Sequence, residues 1–405
     1  MSSAWAQTWT NTGAPISVWF SVAPSADGTK LVVASVGTTE GDYGSLYTSS
    51  NSGATWAQSF APSNVWGSVA SSADGTKVLA VPTLGCLYLS TDSGVDWSSN
   101  NTVNEQWYST ASSADGTKLV AVGNTTDPDD DDDTSDQIGV VYTSADSGNT
   151  WVSNSLPAVS LYWYSVASSA DGNKLVVVSQ DGLICTSTNA GTTWQQPVNA
   201  PGTNNIWDSV ASSADGRRLV AVSQYAAPAD TGSIYTSTNA GLTWTSNNAP
   251  SLVWKSVASS ADGTRLVAVA FNDSTGGEIF FSTNGGTSWT QESTGNYQNF
   301  ASVAMTPDGD RMFAINGGGI SGSPGSVYTA GFTPAPVLKS TLSRSNVMLA
   351  WTVPSTNFGL QQKLNLTAAS WVTLTNQPTL NLTNLQNQVT LPLSGSSGFY
   401  RLKTP

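Results

Sequence analysis

The sequence predicts an all-β protein, and three observations support this fold class. A sequence motif of the form aromatic-x-Ser-Val-Ala-x-Ser-Ala-Asp-Gly recurs along the 405-residue chain, with a period of roughly 45 residues. Within each period, short runs of Val, Leu, Ile and Thr alternate with turns that contain Gly, Asn or Asp, a pattern typical of antiparallel strands. Charged residues make up only 10% of the chain, yet the regular apolar pattern excludes a disordered chain. Four short strands in a period of this length indicate one blade of a β-propeller.

Each copy of the repeat, called a unit below, begins at an aromatic residue. The seven opening residues are Trp19, Trp66, Trp107, Trp163, Trp207, Trp254 and Phe300. In unit 5 the pattern predicts strands at 207–212, 219–222, 233–236 and 244–246, with a loop at 224–231. The Asp215-Gly216 pair predicts a tight turn after the first strand, because Asp hydrogen-bonds its own backbone and Gly accepts a positive φ.

The N-terminus supplies a strand that unit 7 lacks. Residues 9–15 match residues 244–250, which contain the fourth strand of unit 5, whereas no such strand follows residue 331. Pairing the N-terminal strand with unit 7 would remove a free sheet edge. The sequence therefore predicts a seven-bladed β-propeller over residues 1–331 that is closed by its N-terminal strand.

The turn between the third and fourth strands carries a second motif, Ser-x-Asp/Asn-x-Gly-x-x-Trp. Asp92 and Asp146 occupy the acidic position in two copies, and four copies have Asn there: Asn51, Asn189, Asn239 and Asn284. The closing residues are Trp56, Trp97, Trp151, Trp194, Trp244 and Trp289. This motif resembles the Asp box of sialidase-like repeat propellers, the bacterial neuraminidase (BNR) repeats. The resemblance implies a structural turn, in which the side-chain oxygen caps backbone N–H groups and the Trp packs beneath.

The repeats also resemble those of photosystem assembly factors of the Ycf48 type. This chain departs from that family because it lacks a basic face and carries an added C-terminal segment.

The repeat ends before a Pro-rich linker at 332–336. Strands are then predicted at 337–342, 347–351, 359–364, 371–374, 388–393 and 399–402, which favours a small β-sandwich of immunoglobulin or fibronectin III type over residues 337–405. Residues 358–361 and 398–402 resemble C-terminal modules of secreted bacterial proteins, especially from Verrucomicrobia-like organisms. The resemblance implies an accessory role, such as attachment or contact with other protein chains.

Charge and composition exclude several function classes. The net charge is −13 and the pI about 4.2, which argues against binding to nucleic acid and to anionic membranes. The chain has no His, so Ser-His-Asp triads and His-ligated metals are excluded. No apolar run is long enough for membrane insertion, and the N-terminus lacks the pattern of an intact signal peptide. Cys86 and Cys185 fall in different units and at different positions, so no disulfide is predicted.

The loops between the second and third strands vary most in length, and such variation marks the face that carries function in a repeat scaffold. Aromatic residues near that face could stack on sugar rings. The ligand-binding residues predicted on this basis are Trp66, Trp107, Tyr108, Trp163, Tyr164, Trp207, Asp208 and Trp254. The alternative for the tryptophans is that they wedge between blades. The residue after each opening Trp varies (Phe20, Gly67, Tyr108, Tyr164, Asp208 and Lys255) and is the better place to look for specificity.

An acidic run is the strongest local charge feature. Calcium takes several oxygen ligands at flexible geometry, so Asp129, Asp131, Asp133 and Asp136 form a candidate Ca²⁺ site; no other cofactor is indicated. The run lacks the alternation and turn glycine of an EF-hand loop, which favours the alternative of a solvated loop.

The arginine positions argue against sialidase activity. Sialidases use an arginine cluster, whereas Arg217, Arg218, Arg265 and Arg311 all follow Asp-Gly turns on the other face. Carboxylates predicted near the variable loops are Glu40, Asp42, Glu105, Asp208, Asp230 and Glu278, and glycoside hydrolysis needs a pair of them across one cleft. The leading hypothesis is a secreted or cell-surface bacterial protein that binds a glycan or surface polymer without catalysis. The alternatives are a structural subunit of an extracellular assembly and a polysaccharide-active hydrolase.

Overall fold

The prediction of an all-β protein is confirmed. The computed structural model describes residues 9–37, 43–125, 138–157, 160, 162–202, 204–226, 232–271, 277–292, 300–317, 325–331, 338–343, 345–352, 359–363, 370–376, 378–381, 386–392 and 398–403. These residues form strands and turns, and every pair of neighbouring strands is antiparallel. Among them there is no helix with the length and apolar character needed to span a membrane.

The first four units form antiparallel meanders in chain order. Unit 1 contains β2 (Trp19–Pro24), β3 (Leu31–Ser35), β4 (Leu46–Ser49) and β5 (Ala57–Gln58). Units 2 and 3 share β6 (Trp66–Ser71), β7 (Val78–Pro82), β8 (Gly85–Ser90), β9 (Ser98–Ser112), β10 (Leu119–Asn124), β11 (Gly139–Ser144) and β12 (Val152–Ser153). Unit 4 contains β13 (Trp163–Ser168), β14 (Leu175–Ser179) and β15 (Ile184–Ser187).

The remaining three units repeat the same order. Unit 5 contains β16 (Asn205–Ser212), β17 (Leu219–Ala226), β18 (Ile234–Ser237) and β19 (Thr245–Ser246). Unit 6 contains β20 (Val253–Ser259), β21 (Leu266–Phe271), β22 (Glu278–Ser282) and β23 (Thr290–Glu292). Unit 7 contains β24 (Phe300–Met305), β25 (Arg311–Asn316) and β26 (Ser326–Gly331), and β1 (Thr10–Asn11) pairs with β26.

Two details differ from the sequence-based expectation. In unit 5 the predicted loop at 224–231 is too long, because β17 continues to Ala226 and pairs there with the start of β16. Units 2 and 3 are joined without a turn, because β9 serves both as the last strand of unit 2 and as the first strand of unit 3. The expected pairing of the N-terminal strand with unit 7 is present, with Thr10 opposite Thr329.

The apolar core lies between successive sheets. Trp66 at the start of unit 2 packs with Leu46 and Val32 of unit 1 and contacts the ring of Tyr88 edge-on, with ring centroids 5.1 Å apart. Trp19 occupies the same position in unit 1, and its cluster includes Phe313 of unit 7. Each sheet therefore packs on the next in chain order, and the last packs on the first.

Hydrogen bonds also join each first strand to that of the next unit. Ser165 of unit 4, for example, accepts a hydrogen bond from the Val210 N–H of unit 5 at 3.2 Å. The same Ser-to-backbone bond links units 1 to 2, 2 to 3, 3 to 4, 5 to 6 and 6 to 7. At the other end of these strands, backbone N–H groups of Ala26, Ala73, Ala114, Ala170, Ala214 and Ala261 each donate to the carbonyl of the following unit. That series ends at Pro307, which has no N–H to donate.

A buried hydroxyl organises the turn after each first strand, from a serine in units 1 to 6 and from Thr306 in unit 7. In unit 4 the Ser169 hydroxyl is fully buried, donates to Asp171 at 2.6 Å and accepts the Lys174 N–H at 2.9 Å. Burial alone would raise the pKa of Asp171, but the hydrogen bonds from Ser169 and Asn173 outweigh it and lower that pKa. Lys174 extends to the next unit and donates to the Asp215 carbonyl at 2.6 Å. The turn thus fixes its own backbone and also contacts its neighbour.

The C-terminal segment forms two antiparallel sheets. Its strands are β27 (Lys339–Leu342), β28 (Asn346–Thr352), β29 (Gly359–Lys363), β30 (Val372–Thr373), β31 (Thr379–Asn381), β32 (Gln386–Pro392) and β33 (Phe399–Lys403). The sheet orders are β27-β28-β32-β31 and β30-β29-β33. Leu349, Trp351 and Val389 of one sheet share a buried cluster with Leu360 of the other. Strand β31 was not predicted from the sequence, because its three residues carry no clear alternation.

Unit 7 differs from the other units at its first turn. Asp310 stands where four units have Thr, and its carboxylate pairs with Arg265 of unit 6. Burial and the neighbouring Asp310 charge raise the pKa of Asp308 to about 8. Burial raises the pKa of Asp310 as well, against the opposing effect of Arg265. Of the two carboxyls, Asp308 is therefore the one that more readily holds a proton in the folded protein, beside an Asp310 carboxylate that pairs with Arg265.

We predict that Ser169→Ala lowers the free energy of unfolding by about 1–3 kcal/mol, because it removes a fully buried hydroxyl and leaves the half-buried Lys174 N–H without its acceptor. Urea denaturation followed by tryptophan fluorescence measures the change. Ser246→Ala is the matched control, since Ser246 is exposed on β19, and it should stay within about 0.5 kcal/mol of the wild type. Equal effects of the two substitutions would contradict the role given to Ser169.

We also predict that Asp310→Thr alters the pH dependence of stability. A carboxyl whose folded pKa is raised favours folding at low pH, and that contribution is lost as the pH rises from the unfolded value toward the folded one. For Asp308 this window runs from about pH 4 to about 8. The substitution removes the like charge, so the Tm of the variant should rise relative to wild type between pH 5 and pH 8. Asp96→Thr, at an exposed Asp, should leave the two pH profiles parallel.

Candidate functional site

Each first strand carries a β-bulge at the same position. In unit 4, Trp163 pairs with Ser179 and Ser165 with Val178, so Tyr164 between them has no partner across the ladder. The same shift occurs after the opening aromatic residue of all the other units. A bulge leaves one residue unpaired and re-aims its side chain. The side chain of the residue after each opening aromatic therefore does not follow the strand's alternation between the two faces of the sheet.

The seven bulge residues line one cavity of about 710 Å³. They are Phe20, Gly67, Tyr108, Tyr164, Asp208, Lys255 and Ala301. The serines that follow them in each strand also line the cavity, together with Phe271 and Phe300. The variable residues that the sequence singled out for specificity thus meet at one site.

Tyr108 and Tyr164 form an aromatic wall of this cavity. Their ring centroids are 5.3 Å apart and their planes are inclined by 31°. The Tyr108 hydroxyl accepts a hydrogen bond from Asn124 at 3.3 Å. Burial raises the pKa of both phenols, and the nearby Asp208 charge raises that of Tyr164 further. Both rings are therefore neutral and offer an apolar face beside polar groups.

Asp208 and Lys255 are the charged residues among those that line the cavity in the described part of the chain. The Lys255 ammonium lies 3.4 Å from the Asp208 carboxylate, and Gln224 donates a hydrogen bond to the other oxygen of that carboxylate. The Asp208 side chain is 3% exposed and that of Lys255 is 32% exposed. Burial raises the pKa of Asp208 to about 6, against the lowering effects of Lys255 and Gln224. The accessible charge is therefore cationic, with its counter-charge buried.

The tryptophans predicted as ligand contacts are buried, although Trp107 also borders the cavity. Trp66, Trp107, Trp163, Trp207 and Trp254 are all less than 2% exposed and pack between successive sheets. A ring face that is covered by side chains is not available to a sugar, so the burial agrees with the wedging alternative. The aromatic rings that can offer a face to a ligand in this cavity are instead those of Tyr108 and Tyr164.

The other candidates either lie outside the described residues or, among the described ones, do not line this cavity. The proposed calcium ligands Asp129, Asp131, Asp133 and Asp136, and the carboxylates Glu40, Asp42 and Asp230, lie outside the described residues. Glu105 lies on β9 and accepts a hydrogen bond from the Tyr142 hydroxyl at 3.3 Å, and Glu278 begins β22. Cys86 and Cys185 are both free thiols, as predicted.

Sequence reasoning did not identify the ion pair. Lys255 was noted only as one of the variable residues, and nothing local connects it with Asp208, which lies one unit earlier. The repeat could have predicted this ion pair, because equivalent positions of adjacent units are neighbours in space. Opposite charges at that position in units 5 and 6 indicate a contact across the unit boundary.

The predicted arginine positions agree with the structure. Arg265 donates to the Asp308 carbonyl at 2.9 Å, and Arg311 donates to the Ser52 hydroxyl at 2.6 Å. These contacts lie near the first turns, where a second cavity of about 310 Å³ is lined mainly by Ser and Ala. Neither arginine lines the 710 Å³ cavity.

Comparisons with known proteins show the fold. No protein-family model matches the chain, and no curated protein matches its sequence. A Ycf48 structure bound to D1 peptide has a TM-score of 0.56 at 15% identity, over 82% of this chain and 97% of that chain. The β-propeller domain of Cps50 (Swd1) from Myceliophteria thermophila has a TM-score of 0.57 at 14% identity, over 80% and 99%. The GH74 enzyme from Niastella koreensis has a TM-score of 0.58 at 14% identity, over 98% and 74%. At these identities the likeness establishes a β-propeller fold and no activity.

We predict that Lys255→Met destabilises the protein at pH 7.5 by about 1–3 kcal/mol, because it leaves a buried, ionised Asp208 without its cation. At pH 5 the loss should shrink, since that carboxyl, with a pKa of about 6 in the presence of Lys255, is then protonated. Urea denaturation at both pH values measures the effect. Adding Asp208→Asn to Lys255→Met removes the buried charge and should restore most of the stability at pH 7.5. An equal loss at both pH values would rule out this account.

Proposed function

We propose that this chain is a secreted or cell-surface protein that binds a glycan in the 710 Å³ cavity and does not cleave it. The observation that carries the proposal is the convergence of seven bulged side chains on one cavity. Its aromatic wall, Tyr108 and Tyr164, lies among serines that each unit contributes. Ring faces beside hydroxyl groups suit sugars, which present C–H faces and O–H groups together, and ligand sites commonly combine apolar walls with a few placed polar groups.

The scaffold proposed for this site is a seven-bladed propeller closed by β1. Each of the seven units contributes one first strand, and Trp19 of unit 1 shares a core cluster with Phe313 and Val327 of unit 7. Strand β1 gives unit 7 its fourth strand, next to β26. In such a ring the seven bulge residues would surround the axis, which accounts for their meeting at one cavity.

Asp-box turns in the structure support the proposed kinship with sialidase-like repeats. Asp146 accepts hydrogen bonds from the Ser144 hydroxyl at 2.8 Å and the Thr150 N–H at 2.9 Å. The Trp151 indole N–H donates to the Gly148 carbonyl at 3.1 Å. Asn239 caps Thr243 in the same way. These contacts are structural, so the kinship concerns the scaffold and not sialidase activity.

Binding is favoured over hydrolysis by the carboxyl groups of the site. Glycoside hydrolysis by the common mechanisms uses two carboxyl groups across the scissile bond. Among the described residues that line the cavity, Asp208 is the one that carries a carboxyl group, and its side chain is 3% exposed. The two-sheet C-terminal segment, which we propose to be an immunoglobulin-like or fibronectin-like module, would attach the propeller to a surface or to other chains.

We predict that a glycan array will identify a ligand, and that Tyr108→Ala and Tyr164→Ala will each weaken its binding. Loss of one stacking face costs about 1 kcal/mol, which is about fivefold in Kd. Isothermal titration calorimetry with the glycan found on the array measures the change. Leu242→Ala is the control, because Leu242 is exposed on a turn between third and fourth strands, and it should bind as the wild type does.

Two results would overturn the proposal. One is the absence of binding to any glycan together with capture of a peptide in the cavity; a structurally similar protein, Ycf48, has been solved bound to a peptide. The other is cleavage of a bound glycan by the purified chain. Concentration-dependent polymers in electron microscopy without glycan binding would favour the structural role instead.

A further inference from the structure

Lys255 differs from every other cation of the propeller repeats. Residues 1–331 contain nine Lys and Arg residues. Eight of them follow directly on the Asp-Gly turn of a unit: Lys30, Lys77, Lys118, Lys174, Arg217, Arg218, Arg265 and Arg311. Lys255 instead occupies the bulge of unit 6, at the cavity.

The turn cations serve the scaffold. Lys30 donates to the Asp74 carbonyl of the next unit at 3.0 Å, and Lys118 donates to the Asp171 carbonyl at the same distance. Lys174 and Arg265 make the equivalent contacts with units 5 and 7. A repeated contact between units explains why the cations recur at this position. Lys255 follows the opening Trp instead and does not make this repeated contact; its partner is the Asp208 carboxylate of the preceding unit.

The surroundings of Lys255 leave its ammonium able to receive a ligand. The ammonium has three N–H donors, and Asp208 lies on one side of it at 3.4 Å. Asp208 is buried and is also held by Gln224, so it fixes the position of the ammonium without covering it. About a third of the Lys255 side chain is exposed, in a cavity that it shares with Tyr164 and Ser256.

We infer that the ligand of this cavity is an acidic glycan, whose sugar carboxylate pairs with Lys255 while its ring stacks on Tyr108 and Tyr164. The inference rests on the glycan-binding function proposed above and names its ligand class. The chain has a net charge of −13 and therefore repels anions at long range. At close range, however, the one cation among the described residues that line the cavity attracts a carboxylate. A sugar hydroxyl can also accept a hydrogen bond from the ammonium, but a carboxylate adds the opposite charge and makes the stronger, charge-assisted bond.

Asp208 gives the interaction a pH dependence. The groups that face it are Lys255 on β20, Gln224 on β17, Gln180 after β14 and the neutral phenol of Tyr164 on β13. With its pKa raised to about 6, Asp208 is protonated when the pH falls from 7.5 to 5. The Lys255 charge is then uncompensated, whereas a sugar carboxylate with an ordinary pKa near 4 stays ionised. Binding of an acidic glycan should therefore strengthen toward pH 5.

Calorimetric titration of the full chain tests the inference with three probes: oligogalacturonate, alginate oligomers and hyaluronan oligomers. Each is compared with its carboxyl-reduced, neutral derivative. At least one acid form should bind about tenfold or more tightly than its derivative, as expected for loss of a charge-assisted hydrogen bond. Lys255→Met should abolish that difference, and Lys255→Arg should retain it. Asp208→Asn, which keeps Lys255, should bind the acid form at least as tightly as the wild type and with no change between pH 7.5 and 5.

The outcomes separate this inference from the proposed function. If neutral derivatives bind as tightly as the acid forms and Tyr164→Ala weakens both, the cavity binds glycans and the inference about acidic ligands is wrong. If Lys255→Met leaves the preference for the acid form intact, the role of Lys255 is wrong. If no glycan, acidic or neutral, binds to the cavity, the proposed function fails, and with it the inference.

Discussion

Hydrogen bonds between successive first strands are the constraint on which the rest of this structure depends. A buried serine such as Ser165 accepts a backbone N–H from the next unit, and a turn alanine such as Ala170 donates to the unit after it. The two contacts lie at opposite ends of the same strand, so together they fix both the distance and the tilt between neighbouring sheets. The Ser-Val-Ala and Ser-Ala-Asp-Gly segments recur because each of units 1 to 6 makes these two contacts with the unit that follows it.

The bulge separates the cavity from this scaffold. The opening tryptophan, such as Trp163, is buried between sheets, and the serine two residues later holds the next unit. The residue between them contributes to neither contact, since it is unpaired in the ladder. Its side chain can therefore be Gly, Tyr, Asp or Lys without disturbing the packing. Units of one repeated pattern form an asymmetric cavity in this way, with an aromatic wall on one side and an ion pair beside it.

Features that depend on local chemistry could be predicted from the sequence, and features that depend on contacts between units could not. The Asp215-Gly216 turn and the N-terminal match to unit 7 follow from short motifs, and both are present. The bulge could not be predicted from the sequence, because the sequence of the first strand is that of a regular strand and a bulge is defined by its pairing with the second strand. Alternation alone does not show which side chain leaves the core, so the sequence could not separate the opening tryptophans from the residue that follows each of them. The Asp208–Lys255 pair was missed for the same reason.

The contacts between unit 7 and unit 1 differ from those between the other neighbouring units. Pro307 cannot donate the hydrogen bond that the turn alanines of the six other units donate. Next to it, the pKa values of Asp308 and Asp310 are raised, so ionisation of these two carboxyls is less favourable than in the unfolded chain. Strand β1 compensates at the outer edge, where it pairs with β26, and Phe313 packs against Trp19 in the shared core. Closure of the proposed ring thus relies on side-chain packing and strand pairing more than on the inner hydrogen bonds. The cavity groups of units 3 to 6, by contrast, lie on neighbouring units that are joined by both inner hydrogen bonds.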